Sequence, residues 1–269
     1  MNEFEFEFKP ADARLHEGRR ALITGADSGL GQGASFELAA HGAAVAINHI
    51  TDSTVAEDMA ATIRAAGGAA IAVEGDVTSE SDVAANFSAA AAEFGGPIDL
   101  LVNNAGVEKP FALVDMPLEE WRKVIDVNLT GAFLCAREAA RGMLAAEAKG
   151  AIVNVTSVHE QIPWEKFSHY CASKGGEKLF AQSIARELAP HGIRVVSVAP
   201  GAIATPINAD VLADSEQSDA VLAEIPYGRW GEVADVARAI AWLASDQASY
   251  VVGSTLFVDG GMTLYPKFI

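Results

Sequence analysis

Seven short runs rich in β-branched residues recur along this chain, at 21–24, 45–48, 71–74, 100–103, 151–155, 194–198 and 255–258, and longer alanine-rich stretches separate them. Strands buried on both faces read as continuous apolar runs, and parallel neighbours need a long crossover, usually a helix. The alternation predicts an α/β fold: a doubly wound parallel sheet of about seven strands with helices on both faces. Helix starts are visible between the runs: Ser53 before residues 55–66, Ser79 with Asp82 three residues on before 83–94, and Pro117 before a long segment from Leu118. Gly67-Gly68, Gly95-Gly96-Pro97, His191-Gly192 and Ala199-Pro200-Gly201 punctuate the ends. With 269 residues and no repeat or low-complexity linker, a single domain over residues 18–269 is expected. Residues 1–17 stand apart, because their Phe/Glu alternation gives way to charged, unpatterned sequence; they read as an appended arm, frayed or docked on a neighbour.

Charge and apolar patterning exclude several functions. With 19 basic and 36 acidic residues the formal charge is −17, which repels a phosphate backbone, so no nucleic-acid partner is expected. No stretch approaches the roughly 18 uninterrupted apolar residues of a membrane span. The start, Met1 to Phe8, is acidic where a secretory signal is basic, and this predicts a cytoplasmic protein. Cys135 and Cys171 lack paired spacing or a nearby His cluster, which fits a reducing compartment and no metal site. His41, His49 and His191 stand at element ends and read as solvated.

The first run leads straight into Thr24-Gly25-Ala26-Asp27-Ser28-Gly29-Leu30-Gly31 and then an apolar helical stretch. Backbone N–H groups at a helix N-terminus hold a pyrophosphate only when it comes close, and glycines clear the approach. This predicts a Rossmann-type dinucleotide site. The second run ends Asn48-His49-Ile50-Thr51-Asp52 without Arg or Lys, and Asp27 adds a negative charge, so NAD is favoured, with NADP possible.

The turn is spaced G-x-x-x-G-x-G, unlike the common G-x-G-x-x-G fingerprint. With Asp76-Val77, Asn103-Asn104-Ala105-Gly106, Ser157, Tyr170-x-x-x-Lys174 and Pro200-Gly201, each after a successive strand, the chain resembles the short-chain dehydrogenase/reductase family over residues 18–267. The resemblance implies that Asp76 and Val77 meet the adenine, Asn104, Ala105 and Gly106 the adenosine ribose side, and Ile203 with Thr205 the nicotinamide amide. It also matches Asn128, in Asp126-Val127-Asn128-Leu129-Thr130-Gly131, to a residue joining a water relay to the lysine. Tyr170 and Lys174, four apart, share one helix face, and an ammonium beside a phenol favours tyrosinate. Ser157 supplies a hydroxyl for the substrate oxygen. The expected chemistry is hydride transfer between an alcohol carbon and the nicotinamide, without a metal.

The segments 157–164, 169–176, 200–209 and 260–266, and Val107-Glu108-Lys109-Pro110, look like those of glucose 1-dehydrogenases. A sugar needs polar groups around a ring with one apolar face: Glu108, at the cleft mouth, His159 and Asn208 could bond hydroxyls, while Trp164 covers carbon. The expected reaction is oxidation at C1 of β-D-glucose; the alternatives are reduction of a ketone, 3-oxoacyl thioester or another sugar, or a non-catalytic interaction protein. Residues 204–229 read as a lid. Apolar faces around 118–145 and 168–189 predict association, as a homotetramer if the family pattern holds.

Overall fold

The structure is a computed structural model and describes residues 14–50 and 53–264. Its seven strands are β1 (Arg20–Ile23), β2 (Ala44–His49), β3 (Ala70–Glu74), β4 (Leu100–Asn103), β5 (Gly150–Val155), β6 (Ile193–Pro200) and β7 (Thr255–Val258). All pair in parallel, in the order β3-β2-β1-β4-β5-β6-β7. Helices α1 (Gly29–Ala40), α2 (Thr54–Ala65), α3 (Glu80–Phe94), α4 (Leu118–Ile125), α5 (Gly131–Ala145), α6 (Ser168–Leu188), α7 (Ala209–Ala213), α8 (Ser215–Ala223) and α9 (Val233–Ala244) connect or flank them. The seven runs expected from sequence all form strands, with ends moved by at most two residues.

Strand side chains alternate between the two faces, which divides the core. Ala21 and Ile23 of β1 face the layer of α1, α2 and α9, whereas Leu22 faces that of α3, α5 and α6. Gly33 lets α1 approach α9 closely, because a Cβ there would stand 2.2 Å from Val233 Cγ1. Ser79 caps α3 by accepting the Asp82 N–H at 3.3 Å, and left-handed Gly95 (φ 69°) ends it. The segment from Leu118 departs from a regular helix: Asp126–Thr130 widens into a π-helical turn between α4 and α5. Such turns re-aim side chains at functional sites, and this one carries Asn128.

Residues 1–13 of the expected arm lie outside the described residues. Within its remainder, His16 is fully buried against this chain: its Nε2 stands 2.9 Å from Ala241 O, and its backbone N–H donates to His41 O at 3.0 Å. His49 is also buried, at 3% exposure, which corrects its reading as solvated; it ends a central strand whose side chains are covered on both faces.

Burial lowers the His16 pKa from 6.5 to about 4. The unfolded chain thus binds a proton in this window that the folded chain refuses, so His16 contributes stability above its unfolded pKa that is lost as pH falls towards 4. Thermal unfolding followed from pH 7 to pH 4 should show Tm falling through this range. In His16→Gln, which keeps a donor for Ala241 O, the slope should be shallower; an unchanged slope would assign the loss to other groups.

Candidate active site

Strand order reverses between β1 and β4, and open α/β sheets bind ligands in the crevice at that switch point. A cleft of about 920 Å³ opens there, lined by residues from the loops after β1 to β6. The glycine turn forms its floor. Ser28 precedes α1 with extended backbone and makes no side-chain cap to it. The first-turn N–H groups of α1 are therefore left for an anion. Gly29 takes φ 51° there, a conformation that disfavours a side chain. This turn fits a pyrophosphate.

Gly25, Asp27, Ser28, Gly29 and Leu30 line the cleft, and so do Asn48, Asp76, Val77, Asn104, Ala105, Gly106, Pro200, Gly201, Ile203 and Thr205. Gly31, expected among the cofactor contacts, is not among these lining residues. It is buried behind the turn, where a Cβ would lie 2.5 Å from both Gly25 O and Asn104 Nδ2. Its role is close packing of the turn, a different demand for the same residue type.

Several polar side chains of the cleft hold the loops as well as facing ligand space. Asn48 Oδ1 accepts the Gly25 N–H at 3.2 Å, and its Nδ2 donates to Gly75 O at 2.9 Å. Asn104 Nδ2 donates to Thr24 O and Gly25 O, both at 2.9 Å. Asp76 Oδ1 accepts from Thr78 N and Oγ1, both at 2.8 Å. Sequence reasoning missed Thr24, whose Oγ1 accepts the N–H groups of Asn104 at 2.9 Å and Ala105 at 3.0 Å and so locks the β4 loop to the turn. A hydroxyl residue immediately before the first glycine was the available signal.

At the far end of the cleft, Ser157 follows β5 and Tyr170 and Lys174 project from α6. The Ser157 hydroxyl, which accepts the His159 N–H at 3.2 Å, lies close enough to the Tyr170 phenol to favour its ionised form. Lys174 is buried; its Nζ donates to Val155 O and to Glu177 Oε2, both at 2.8 Å. Asn128 does not line the cleft but staples it: Oδ1 accepts the Val107 N–H at 2.8 Å, while Nδ2 donates to Val107 O at 3.0 Å and Ser173 Oγ at 3.1 Å. The expected lowering of the Tyr170 pKa is not the net result. Burial pushes the phenol above its ordinary value against the pull of Lys174, with Glu108 and Glu177 adding to the rise and Ser157 opposing it. Burial also acts to discharge Lys174, yet Glu177, Tyr170 and Glu108 outweigh it and hold the ammonium.

The four remaining residues expected around substrate, Glu108, His159, Trp164 and Asn208, line the same cleft. Glu108 lines the cleft half-buried; burial raises its carboxyl above the usual range, Lys174 opposes that rise, and its charge in turn raises the Tyr170 phenol. Lys109 instead meets Glu120 at 3.6 Å. The His159 ring stacks on Trp164 at 4.6 Å, Trp164 stacks on Phe167 at 3.6 Å, and both His159 and Trp164 stand edge-on to Tyr170 at 6.2 Å. Burial lowers the His159 pKa, and its Nδ1 stands 3.2 Å from Ile162 O. Asn208 spends its Nδ2 on Ile203 O at 2.8 Å, which leaves the amide oxygen for the cleft. Over residues 204–229, α7 and α8 cover the cleft through Val211 and Val221.

A switch-point cleft with a glycine turn on one side and a hydroxyl, phenol and ammonium on the other belongs to a nicotinamide-dependent oxidoreductase. The family model described as enoyl-(acyl carrier protein) reductase matches residues 25–263. The chain is 48% identical to 3β-hydroxysteroid dehydrogenase 1 of Eggerthella lenta over 252 residues, 94% of this chain and 96% of that protein. It is 41% identical to glucose 1-dehydrogenase 2 of Bacillus subtilis, over 93% of this chain and 96% of that protein. Among solved structures, a gluconate 5-dehydrogenase from Burkholderia cenocepacia in complex with NADP and tartrate superposes with TM-score 0.88 at 35% identity, covering 94% of this chain and 98% of that one. The chain belongs to the short-chain dehydrogenase/reductase family and is an NAD(P)-dependent oxidoreductase.

Proposed function

We propose that this enzyme oxidises a ring-borne hydroxyl, C1 of β-D-glucose in the leading case, to the lactone, with NAD⁺ preferred and NADP⁺ accepted. The observation that carries the reading is the substrate wall: the Glu108 carboxyl and the His159 imidazole stand beside Tyr170 and Ser157, with the Trp164 ring over the same space. Polar groups on one side and an aromatic plane on the other suit a polyhydroxylated ring. The absence of Arg or Lys from positions 48–52 supports NAD. Homotetramer formation in the cytoplasm completes the proposal. Exposed Leu113, Val114, Leu118 and Leu179 near the α4–α6 surface support association, and the free thiols of Cys135 and Cys171 support a reducing compartment.

Bound NAD(P)⁺ supplies the hydride acceptor, C4 of its nicotinamide, together with the positive charge of the oxidised ring. The glycine turn holds the pyrophosphate, and Lys174 anchors the nicotinamide ribose. Ser157 donates its hydroxyl to the substrate oxygen, which fixes the reacting carbon. Tyr170, once ionised to tyrosinate, takes the hydroxyl proton and is left as the neutral phenol while the carbon's hydride goes to the nicotinamide. The lid helices exclude water from the exchange. Asn128 positions the Val107 loop after β4 and the Ser173 turn of α6, on which Tyr170 and Lys174 are carried.

A second reading is oxidation of an alicyclic secondary alcohol, such as a hydroxysteroid, or the reverse ketone reduction. The continuous stack of His159, Trp164 and Phe167 favours it, because three aligned rings offer more apolar surface than one sugar needs. Initial rates across a panel of aldoses, hydroxysteroids, cyclohexanols and 3-oxoacyl thioesters, in both directions and with both dinucleotides, separate the readings. Glucose oxidation with NAD⁺ is expected to give the highest kcat/KM, and a hydroxysteroid winning by tenfold or more would replace it. A panel silent with every hydroxyl and carbonyl compound would remove the proposed substrate classes.

A further inference from the structure

The lysine beside the proposed base is not an isolated cation. Lys174 Nζ lies 2.8 Å from Glu177 Oε2, and the two side chains are only 5% and 2% exposed. Lys174, Glu177 and Lys178 occupy one stripe of α6, three and four residues apart. A second carboxylate, Glu160, has its side chain completely covered and forms an ion pair with Lys178, whose Nζ stands 3.1 Å from Oε1. Glu160 and Glu177 repel each other electrostatically. A buried ion pair is weak support for stability, since apolar replacements of similar volume are often neutral or better. A second buried carboxylate that raises the cost of charging the first makes a purely structural purpose weaker still.

We propose that Glu177 is a positioning residue: it holds the Lys174 ammonium against α6 and cancels part of its charge, and so sets the pH at which Tyr170 gives up its proton. The inference rests on the reading of Tyr170 as the base. A free ammonium within about 4–6 Å lowers a phenol pKa by about one to three units. Paired with a carboxylate at 2.8 Å, the same ammonium presents a dipole, and its effect on Tyr170 is smaller. The other groups facing Tyr170 are Glu108 from the β4 loop, the Ser157 hydroxyl, the His159 and Trp164 rings, and His169, whose Nδ1 accepts the Tyr170 N–H at 2.9 Å. Of the charged ones, Glu108 opposes ionisation as Glu177 does. Among the described residues, Lys174 is the only cation in this shell that favours it. Glu177 acts on Tyr170 chiefly through this cation, because its carboxylate is in direct contact with the Lys174 ammonium.

The test is the pH dependence of kcat/KM for alcohol oxidation, whose acid limb reports the essential base of the free enzyme. Glu177→Gln keeps the contact to Lys174 but removes the negative charge, and Glu177→Met removes both. In each the acid limb should move to lower pH by about one unit. A limb that stays in place, or that moves to higher pH because Lys174 has lost its proton, overturns the proposal. Both variants should fold and bind NADH, seen by fluorescence titration; loss of folding in both would make Glu177 a structural residue and likewise overturn it. Tyr170→Phe measured alongside keeps the cases distinct: if that variant still turns over, the reading of the base fails, whereas its inactivity with an unmoved Glu177 limb defeats only the present inference.

Discussion

Replacing Tyr170 with Phe is expected to lower kcat by about a thousandfold, the scale of a lost general acid–base group, while leaving dinucleotide binding within a few fold of the original. The phenol oxygen is all that the substitution removes. The ring keeps its edge contacts with His159 and Trp164, and α6 keeps the Lys174 bonds to Val155 O and Glu177 that do not involve Tyr170. Burial holds the phenol above its ordinary pKa, so the wild-type rate should climb with pH as the base is released. That climb should vanish in Tyr170→Phe. Steady-state rates between pH 6 and pH 10, beside NADH fluorescence titrations, measure both halves; turnover within tenfold of wild type would reject Tyr170 as the base.

Gly31→Ala should cost both stability and cofactor affinity, although Gly31 does not face the cleft. The new Cβ would sit 2.5 Å from Gly25 O, 2.5 Å from Asn104 Nδ2 and 2.8 Å from Ala26 Cα. Two of these obstacles are backbone atoms, which cannot swing aside. Relief requires the glycine turn to move away from α1 and breaks the Asn104 bonds to Thr24 O and Gly25 O. Overpacking of this kind costs about 1–3 kcal/mol, and the displaced turn no longer aims its N–H groups at the pyrophosphate. The expected result is a clear drop in Tm by calorimetry and NADH binding weakened by about a hundredfold, equivalent to about 2.7 kcal/mol. Unchanged affinity would mean that the turn tolerates displacement and that its geometry is not what selects the dinucleotide.

These two positions mark where sequence reasoning succeeds and where it stops. The Tyr170–Lys174 spacing is legible because helical periodicity alone brings residues four apart onto one face. The glycine turn is legible because a strand, a cluster of glycines and a helix in that order leave few other structures. The strands are legible for a similar reason: burial on both faces writes itself as uninterrupted β-branched sequence. The purpose of an individual glycine is not written this way. Gly29 faces the cleft and Gly31 packs behind it, and the same letter serves both. His49 was misread because an imidazole at a strand end is equally at home in water and under a neighbouring element.

Local pattern thus determined the parallel sheet, the helix order, the dinucleotide turn and the phenol–ammonium pair, since each depends on residues close together along the chain or on a period of the backbone. The tertiary structure alone decided that Thr24 ties the first strand to the β4 loop, that Asn128 staples Val107 to Ser173, and that Glu108 and Glu177 bracket the charge near Tyr170. The first, second and Glu108 parts of this arrangement join residues far apart in sequence. The Glu177 part needs to know which face of α6 is buried. Electrostatic consequences follow distance and solvent exclusion in space, and neither is fixed until the whole chain has packed.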